Sequence, residues 1–556
     1  MVSLRYCRDT SRKARLLMVT TLPHTPQLVV IGAGVAGGMV AQQAAEAGMR
    51  VTILCDGPEV QRPDLVDRFR RADRQTMMSP YPVVSHAPQP QVPRTGDYLI
   101  QKGPYPYDQQ YIRAVGGTTW HWAAATWRYL PNDMKLKTLY GVGRDWPIEY
   151  DTIEPWYQAA EEAMGVAGPE DAPFDAPRSK PYPMPPAPFS YLDKEFNKVL
   201  TDLGYAHIQA PQARNNQQVY DGRPPCCGNA NCMPICPIGA QYSGNIAVEK
   251  AVVAGAELIT DAVVHHLEVG PDQRITAARY LRPNREEFRI EAERFVLAAN
   301  GIEGPKILLM SKQENAPDGV ANSSDMVGRN LMDHPGTVSK FKSAKPLWPG
   351  RGPNVLSAIT SLRDGEFRRD MAARKLMVLN MNPVEEVALE AIDEGLTGDD
   401  LRAAVRDRAA RHQVITSFNE QLPDPSNRIV PSTENLTDDL GIPRPEIHYD
   451  IGDYVHKAAA DTRSRVEKIA EAMGAEPGSV WHNDGYAPNN HITGATIMGS
   501  DPRDSVVDSD CRAHDHPNLW IASSSTFPSV SSVNVTLTIA ALALRMGEAI
   551  ASEARP

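Results

Sequence analysis

The feature that most constrains the fold is a glycine-rich turn between an apolar strand and a helix. It lies in "QLVVIGAGVAGGMVAQQAAEAGMRVTILCDGP", where Gly32, Gly34 and Gly37 fit G-x-G-x-x-G. The pattern predicts a helix over 35–47 and a second strand over 51–54. Such glycines let the backbone approach a pyrophosphate, and the helix N-terminus stabilises the phosphate charge. The segment therefore predicts a Rossmann-like dinucleotide site.

The residues next to this turn complete the predicted site. Val35 and Ala36 open the helix, where backbone N–H groups have no partner inside the helix. At the end of the second strand an acidic residue would accept the ribose hydroxyls. This sequence instead has Cys55 followed by Asp56. Either Asp56 reaches the ribose or that contact is weakened.

Two later segments repeat the order of elements. Residues 288–311 read as strand, turn and helix, and residues 519–550 read as strand, small-residue loop and apolar helix. These pieces predict one discontinuous cofactor domain, interrupted by a substrate-binding domain. The predicted division is a disordered leader 1–24, a cofactor domain of 25–125, 240–340 and 484–556, and a substrate domain of 126–239 and 341–483 containing a cysteine loop, 222–239.

Composition limits the partners. The 556 residues are 42% apolar, which is enough for a large core. The net charge is −11 and no basic stripe is present, which argues against nucleic acid as a partner. No continuous apolar run reaches about eighteen residues, so no membrane-spanning segment is predicted.

The first seventeen residues carry five basic side chains. Neither an apolar core nor a small-residue cleavage site follows them. We interpret them as a disordered leader, or as the product of a start codon placed too early, with Met18 the better start. The chain accordingly shows no export signal of its own.

A second unusual stretch is "AVGGTTWHWAAATWRYLP", which joins Gly116 and Gly117 to two threonines and a Trp-His-Trp run. Small residues permit the close approach of a flat ring, and aromatic side chains could form its walls. A buried turn whose tryptophans fill the core explains the composition equally well.

Four of the seven cysteines fall in "CCGNANCMPIC", namely Cys226, Cys227, Cys232 and Cys236. Zinc ribbons place two C-x2-C pairs about a dozen or more residues apart, and disulfide frameworks spread their cysteines through a small secreted domain. A compact run ending in C-x3-C-P is typical of iron–sulfur proteins, whose loops donate N–H groups to sulfur. We therefore rank an iron–sulfur cluster before zinc, and zinc before disulfides.

Adjacent cysteines rarely both bind one cluster, because the side chains of neighbouring residues diverge. Cys226, Cys232 and Cys236 would then form a three-ligand set, which favours a 3Fe-4S over a 4Fe-4S cluster and leaves Cys227 spare. The opposite choice at the pair stays open.

Taken together, the motifs resemble the glucose–methanol–choline (GMC) family of FAD oxidoreductases from about residue 25 to the end. The matching segments are "GAGVAGG", "AVGGTTWHWAAATWRYLPND", "YGVGRDWPIEYD", "CCGNANCMPICPIGA", "SSDMVGRNLMDHPGT", "NNHITGATIMG" and "VNVTLTIAALALRM". The resemblance is strongest to a subgroup of bacterial membrane-bound sugar dehydrogenases, the FAD-dependent glucose dehydrogenases. The fructose dehydrogenase and gluconate 2-dehydrogenase large subunits are more distant.

The resemblance implies an α/β fold (α+β overall) with a discontinuous, Rossmann-like FAD-binding domain of GMC type. It also implies a substrate-binding domain built on an antiparallel sheet and an iron–sulfur loop insert. The CC-x4-C-x3-C insert separates this subgroup from the ordinary oxidases of the family.

The resemblance also implies the catalytic residues. The family keeps a histidine in "NNHITG" and a His or Asn partner near the C-terminus, which are His491 and Asn534 here. A neutral imidazole is a suitable base for a hydroxyl proton, and Asn534 would orient that hydroxyl. Asn490 is expected to touch the substrate. Judged from the residues alone, His491 would be an exposed turn histidine; His334 is expected to support the fold.

Cofactor contacts follow from the same resemblance. In relatives the strand backbone near Val264 contacts the adenine. In some members a histidine in a GG-x-x-x-H-W context is bonded to the flavin 8α-methyl group, which leaves a covalent link to His121 open. The residues predicted to contact FAD are Gly32, Gly34, Val35, Ala36, Gly37, Asp56, Gly116, Gly117, Thr118, His121, Trp122, Val264, Asn300, Ser523 and Asn534.

The implied function is oxidation of the C1 hydroxyl of glucose, or another aldose, to the lactone, with electrons leaving through the cluster to a cytochrome c. Fructose, sorbitol and gluconate are alternative substrates. An oxidase of the same family is a further alternative, and a non-catalytic electron-relay subunit is an alternative of another class. Members of the subgroup resemble parts of a complex with a small export subunit, which carries the signal peptide, and a membrane-bound multihaem cytochrome c. This implies a periplasmic protein held at the inner membrane by a partner, with the cytoplasm as the alternative.

Overall fold

The computed structural model describes residues 25–92, 94–170 and 172–554, together with the backbone of residues 4–5 and 17–19. The strands are β1 Leu4–Arg5, β2 Leu17–Val19, β3 Leu28–Ile31, β4 Val51–Leu54, β5 Ile100–Lys102, β6 His207–Gln209, β7 Glu257–Ile259, β8 Val263–Val269, β9 Ile275–Leu281, β10 Glu287–Glu291, β11 Arg294–Leu297, β12 Val338–Lys342, β13 Val355–Ile359, β14 Arg374–Leu379, β15 His412–Asn419, β16 Arg428–Pro431, β17 Pro445–His448, β18 Trp481–His482 and β19 Leu519–Ile521.

The helices are α1 Val35–Glu46, α2 Arg62–Arg71, α3 Leu136–Tyr140, α4 Tyr150–Met164, α5 Tyr191–Asp202, α6 Asn245–Val253, α7 Glu303–Met310, α8 Val384–Asp393, α9 Gly398–Arg411, α10 Asp453–Ala472 and α11 Thr536–Ala554. Short 3-10 helices span Thr95–Asp97, Gly117–Trp120, Pro131–Met134, Glu366–Arg369 and Ser524–Thr526.

A five-stranded parallel sheet of order β19-β11-β3-β4-β7 forms the cofactor side of the molecule. Every residue of β3 and β4 is buried, as expected of parallel strands covered on both faces by helices. Helix α1 packs against α6 and α11, and α11 also packs against α4. Because the strands are parallel, the loops that follow β3, β4, β11 and β19 meet at one edge of the sheet.

The glycine turn makes the tight approach of helix to strand possible. A Cβ on Gly37 would lie 2.0 Å from the carbonyl oxygen of Gly32, and a Cβ on Gly32, whose φ is +117°, would lie 2.3 Å from the carbonyl oxygen of Ala298. The helix predicted over 35–47 and the strand predicted over 51–54 are confirmed by α1 and β4.

A six-stranded antiparallel sheet of order β18-β12-β15-β14-β13-β6 forms the second half. It draws its strands from regions on both sides of the middle cofactor segment, so the chain passes repeatedly between the two sheets. Smaller sheets have the orders β1-β2-β10-β9-β8 and β16-β17-β5. The predicted α/β fold class, with a parallel nucleotide sheet and an antiparallel second sheet, is confirmed.

Strands β1 and β2 lie within the predicted leader 1–24, and β2 pairs in parallel with β10. The other leader residues lie outside the described part of the chain, so the predicted disorder stays a prediction. In the part that the structure describes, no helix combines the length and the apolar character needed to cross a bilayer.

Candidate active site

One cavity of about 470 Å³ joins the glycine loop to the loop that carries His491. Its size is that of a small-molecule or cofactor pocket. The predicted site residues that line it are Gly32, Gly34, Val35, Ala36, Asp56, Gly117, Thr118, His121, Trp122, Val264, Asn300, Asn490, His491, Ser523 and Asn534. Gly37, in the first turn of α1, and Gly116, at φ +96°, do not line the cavity.

The end of the cavity next to α1 has the form of a phosphate cradle. No side chain caps the start of this helix, so its first N–H groups stay available. A Cβ built on Gly34 would meet no protein atom within 4 Å, although Gly34 lines the cavity. A Cβ on Gly117 would lie 3.2 Å from the Gly34 Cα. The bare backbone thus leaves room for a pyrophosphate at the helix N-terminus, as FAD requires.

Replacing Gly34 with alanine is expected to weaken FAD binding without destabilising the apoprotein. The backbone at Gly34 is extended, with φ −83° and ψ −169°, which alanine adopts freely. The added methyl group would occupy the space of the ligand. Overpacking of about 1–3 kcal/mol corresponds to a loss of roughly tenfold to a hundredfold in affinity. Titration of the apoprotein with FAD measures the affinity, and thermal unfolding measures the stability.

Gly96 offers a matched control, because a Cβ there also meets open space but lies outside the cavity. Gly96→Ala is expected to leave both FAD affinity and melting temperature unchanged. Equal FAD affinity in Gly34→Ala and the unaltered protein would show that the phosphate does not approach this glycine.

The predicted ribose residue, Asp56, lines the cavity but is already paired. Its Oδ2 accepts a hydrogen bond from the Arg113 guanidinium at 2.5 Å. Two further charged residues line the same end, with Lys306 Nζ 2.7 Å from Glu303 Oε2. Burial would raise the pKa of Glu303, but Lys306 and Arg113 lower it to about 2. No sequence pattern links these four residues, so sequence reasoning missed the cluster.

Two other predicted contacts hold the loops that face the cavity. Asn300, at φ +58°, accepts the backbone N–H groups of Ile302 and Glu303 with its Oδ1 and so caps the start of α7. Ser523 accepts the backbone N–H of Ser525. Both side chains therefore shape the wall, while Val264 contributes apolar surface from β8.

His121 is buried at the aromatic side of the cavity. Its Nδ1 has no hydrogen-bond partner among the described residues. Burial lowers the pKa of its imidazole to about 4, so the ring is neutral. The neighbouring Trp122 donates its indole N–H to the carbonyl of Tyr242 at 2.8 Å. An unpartnered ring nitrogen on a cavity-lining residue suits contact with a bound heterocycle, and the covalent link to His121 stays a prediction.

His491 is 9% exposed, so it is not the exposed turn histidine that the residues alone suggested. Its Nε2 lies 3.1 Å from Asn534 Nδ2, and its Nδ1 lies 3.0 Å from His334 Nδ1. Its backbone N–H donates to Asp333 Oδ1 at 2.9 Å. The structure thus brings two of the three predicted catalytic residues, His491 and Asn534, into direct contact at the cavity wall.

Asn534 is held from behind by a buried lysine. Lys375 Nζ donates to Asn534 Oδ1 at 2.7 Å, which turns the amide nitrogen toward His491. Burial, His334 and Lys375 together lower the pKa of His491 well below its usual 6.5. Asn490 lines the cavity as well, but its Oδ1 accepts the backbone N–H of Gln110 at 2.7 Å. The His491 ring is therefore held in one orientation, and its lowered pKa favours the neutral form.

Sequence reasoning missed Asp333 and Lys375 and gave His334 only a supporting role. The two oxygens of Asp333 accept the backbone N–H groups of Asn489 and His491, which fixes the loop that carries the base. Asp333, His334 and His491 are the one group of three potential metal ligands that converge within 4.8 Å in the described chain. Their polar atoms are already bonded to one another, to the backbone, or to the side chains of Gln109 and Asn534.

The cysteine loop touches the same cavity through Met233. Cys232 and Cys236 are buried, Cys226 is half-buried and Cys227 is exposed. Backbone N–H groups point at two sulfurs, from Asn354 to Cys232 Sγ at 3.5 Å and from Gly228 to Cys226 Sγ at 3.4 Å.

The thiols suit a cluster better than a single zinc ion. Burial raises the pKa of Cys226, and so does its interaction with the thiols of Cys232 and Cys236. The three thiols therefore lie near one another. These three sulfurs do not converge within 4.8 Å, whereas sulfurs on one zinc, with bonds of about 2.3 Å, lie roughly 3.8 Å apart. Across the described residues no two cysteines form a disulfide.

Two family models match the chain, both described as GMC oxidoreductase, over residues 191–336 and 423–543. The chain is 46% identical to the fructose dehydrogenase large subunit of Gluconobacter japonicus, over 95% of this chain and 98% of that protein. It is 28% identical to the 2-methyl-1,2-propanediol dehydrogenase of Mycolicibacterium austroafricanum, over 96% of each. It is 23% identical to the gluconate 2-dehydrogenase flavoprotein of Pantoea cypripedii, over 94% of this chain and 93% of that one.

Solved structures share the fold. Pyridoxine 4-oxidase from Mesorbium loti matches with a TM-score of 0.59 at 16% identity, over 94% of this chain and 99% of that one. A formate oxidase variant from Aspergillus oryzae, studied for FAD modification, matches with a TM-score of 0.65 at 13% identity, over 96% of this chain and 99% of that one.

Proposed function

Because the chain belongs to the GMC oxidoreductase family, we propose that it is an FAD-dependent dehydrogenase that oxidises a hydroxyl group of a sugar, with fructose as the preferred substrate. Members of this family are oxidoreductases that act on CH–OH groups. The observation that carries the proposal is the single cavity that joins the phosphate cradle at Gly34 to the contact between His491 and Asn534.

The choice of sugar rests on similarity. The relative that is 46% identical over nearly its whole length acts on fructose by its name. The resemblance described above implies glucose, with fructose, sorbitol and gluconate as alternatives; the 46% identity supports fructose better than glucose. We therefore propose fructose as the substrate.

The residues around His491 suit removal of a hydroxyl proton. Bound FAD supplies the acceptor for the hydride that leaves the substrate carbon. The substrate hydroxyl enters between His491 Nε2 and the Asn534 amide, accepts the amide N–H and donates its proton to Nε2. Lys375 keeps the amide in the orientation that this requires. The substrate carbon loses its hydride more easily when the hydroxyl oxygen on that carbon gives up its proton at the same time.

The wall opposite the glycine loop restricts water. Met377, Leu379 and Phe418 from the antiparallel sheet line the cavity there, and Met377 is 2% exposed and Phe418 6% exposed. Excluding water strengthens the interaction of the hydroxyl with His491 and Asn534. Thr416 and Asn489 are polar groups in the same wall and would orient the other hydroxyls of the sugar.

The proposal includes an iron–sulfur cluster of 3Fe-4S type on Cys226, Cys232 and Cys236, with Cys227 spare. Such a cluster would carry single electrons away from the flavin site. The support is the spacing of the thiols, the two N–H groups directed at sulfur and the contact of Met233 with the cavity. The exposed position of Cys227 favours Cys226 as the ligand of the adjacent pair.

The proposal also includes a complex at the inner membrane. It places the protein in the periplasm, with a small export subunit that carries the signal peptide and a multihaem cytochrome c that receives the electrons. The support is the resemblance to the membrane-bound sugar dehydrogenases and the similarity to a relative named as a large subunit.

A substrate panel tests the function. Purified complex is assayed with fructose, glucose, sorbitol and gluconate, with a phenazine dye as acceptor, and the oxidised carbon is identified by NMR of the product. We expect the highest kcat/KM with fructose. The highest value with glucose would overturn the choice of sugar, and no turnover with any of the four would overturn the proposed substrate class.

Hydrogen peroxide measured alongside dye reduction separates a dehydrogenase from an oxidase. We expect dye reduction without a matching yield of peroxide under air. One peroxide formed per sugar oxidised, at the rate seen with dye, would instead show that oxygen is the acceptor.

A further inference from the structure

His334 lies behind the proposed base and does not line the cavity. It is fully buried, at 0% exposure, and its ring crosses that of His491 almost at a right angle, with the ring centroids 4.8 Å apart. The contact between the two rings is made by their Nδ1 atoms. A hydrogen bond between two imidazole nitrogens needs one donor and one acceptor, so the protonation of each ring constrains the other.

The far edge of His334 decides which ring is the acceptor. His334 Nε2 is hydrogen-bonded to the backbone carbonyl of Ser531, and a carbonyl oxygen only accepts. The proton of neutral His334 must therefore be on Nε2, which leaves a lone pair on Nδ1. Burial lowers the pKa of His334 to about 3, in agreement with a neutral ring.

The same logic then applies to His491. Because His334 Nδ1 accepts, the proton of His491 must be on its own Nδ1, and its Nε2 carries the lone pair. The Asn534 amide nitrogen faces that lone pair as a donor, since Lys375 holds the amide oxygen. Ser531, His334, His491, Asn534 and Lys375 are thus linked in series by hydrogen bonds. Only one arrangement of protons satisfies all of these bonds.

The anchor of this chain of hydrogen bonds is itself rigid. The Ser531 hydroxyl donates to Asp133 Oδ2 at 2.6 Å, and Asp133 Oδ1 lies 2.9 Å from the buried Arg368 guanidinium. The carbonyl that holds His334 is thus fixed by a buried ion pair outside the cavity.

We infer that His334 is a positioning residue for the oxidation, which sets the tautomer of His491 through its Nδ1 lone pair and so presents Nε2 as the base. The inference rests on the proposed role of His491 but not on the identity of the sugar. When His491 takes up the substrate proton at Nε2, it keeps its Nδ1 proton and with it the hydrogen bond to His334 Nδ1.

Two conservative substitutions test which edge of His334 matters. His334→Asn keeps an acceptor oxygen near the position of Nδ1, whereas His334→Gln keeps an amide donor near the position of Nε2. We expect His334→Gln to lower kcat by about a hundredfold or more, as loss of a correctly protonated base does. We expect His334→Asn to retain most of the activity that His334→Gln loses. KM should stay close to that of the unaltered protein in both, because His334 does not touch the cavity.

A matched control is His516, which is also buried and bonded to backbone, but lies outside the cavity. His516→Asn and His516→Gln report the cost of the same substitutions without a link to His491; both should keep kcat per bound FAD. The readouts are anaerobic stopped-flow reduction of the flavin by sugar, FAD content and steady-state kcat and KM.

The outcomes separate this inference from the proposed function. Activity in His334→Gln equal to or above that in His334→Asn would overturn it, because a purely structural contact with Ser531 would then account for His334. A rise in KM without a fall in kcat would overturn it as well. In both cases the unaltered protein would still oxidise sugar and the proposed function would stand; absence of sugar oxidation by the unaltered protein would remove both.

Discussion

Replacing His491 with alanine is expected to lower kcat for sugar oxidation by about 10³-fold, within the range that general-base catalysis contributes. The substitution would remove the proposed base, which among the described residues is the one imidazole that both lines the cavity and contacts Asn534. Asn534 cannot accept the proton, and Lys375 is held behind it. FAD content should be unchanged, since the phosphate cradle is formed by a different loop. Anaerobic bleaching of the flavin by sugar, followed by stopped flow, measures the effect.

His456 provides the control for this substitution. It is a half-buried histidine bonded to Tyr486, and it does not line the cavity. His456→Ala should therefore bleach at the normal rate. Normal bleaching in His491→Ala as well would mean that another group takes the proton and that the proposed base is wrong.

The lowered pKa of His491 sets the expected pH dependence of the reaction. Burial, His334 and Lys375 hold the pKa of His491 well below 6.5. A lowered pKa keeps the neutral, basic form present as the pH falls below 6.5, so the acidic limb of kcat/KM should lie below that value. A limb centred at or above pH 6.5 would show that the base is not this buried imidazole.

Replacing Cys232 with serine is expected to remove the proposed cluster while sugar still bleaches the flavin. Cys232 is 5% exposed and receives the N–H of Asn354 at its sulfur, as a ligand inside the loop would. Serine offers a hard oxygen in place of a soft thiolate. Changes outside the ligand shell already cost about 10–100-fold in metal affinity, so loss of a ligand should release most of the iron. Iron analysis and low-temperature EPR on anaerobically purified protein measure the loss.

Two control variants make this result specific. Cys511→Ser changes another buried cysteine, one that lies outside the loop, and should keep its iron. Cys227→Ser should keep its iron too, whereas Cys226→Ser should lose it. Iron retained in full by Cys232→Ser, or its absence from the gently prepared unaltered protein, would contradict the proposed cluster. Reduction of a cytochrome or dye should fall in Cys232→Ser while flavin bleaching persists, because the two steps use different centres.

The cofactor half of the fold was predictable because its signals are local. The glycines at 32, 34 and 37 are needed where backbone passes close to backbone or to ligand, and the periodicity around them sets α1 and β4 within one residue. The predicted catalytic pair was different. Asn534 and His491 were found by resemblance to a family, and nothing in the spacing of a loop histidine and a distant asparagine predicts their contact.

The sequence by itself determined the parallel nucleotide sheet, the phosphate loop and the set of thiols, since each depends on neighbours within a few residues. Tertiary structure alone decided the environment of the base. His334 was expected only to support the fold, yet folding brings it and the adjacent Asp333, together with Lys375 from a separate segment, to within hydrogen-bonding distance of His491 or its partner. The physical reason is that burial and hydrogen bonding between distant segments set the protonation of a side chain, and a local sequence pattern predicts neither of them.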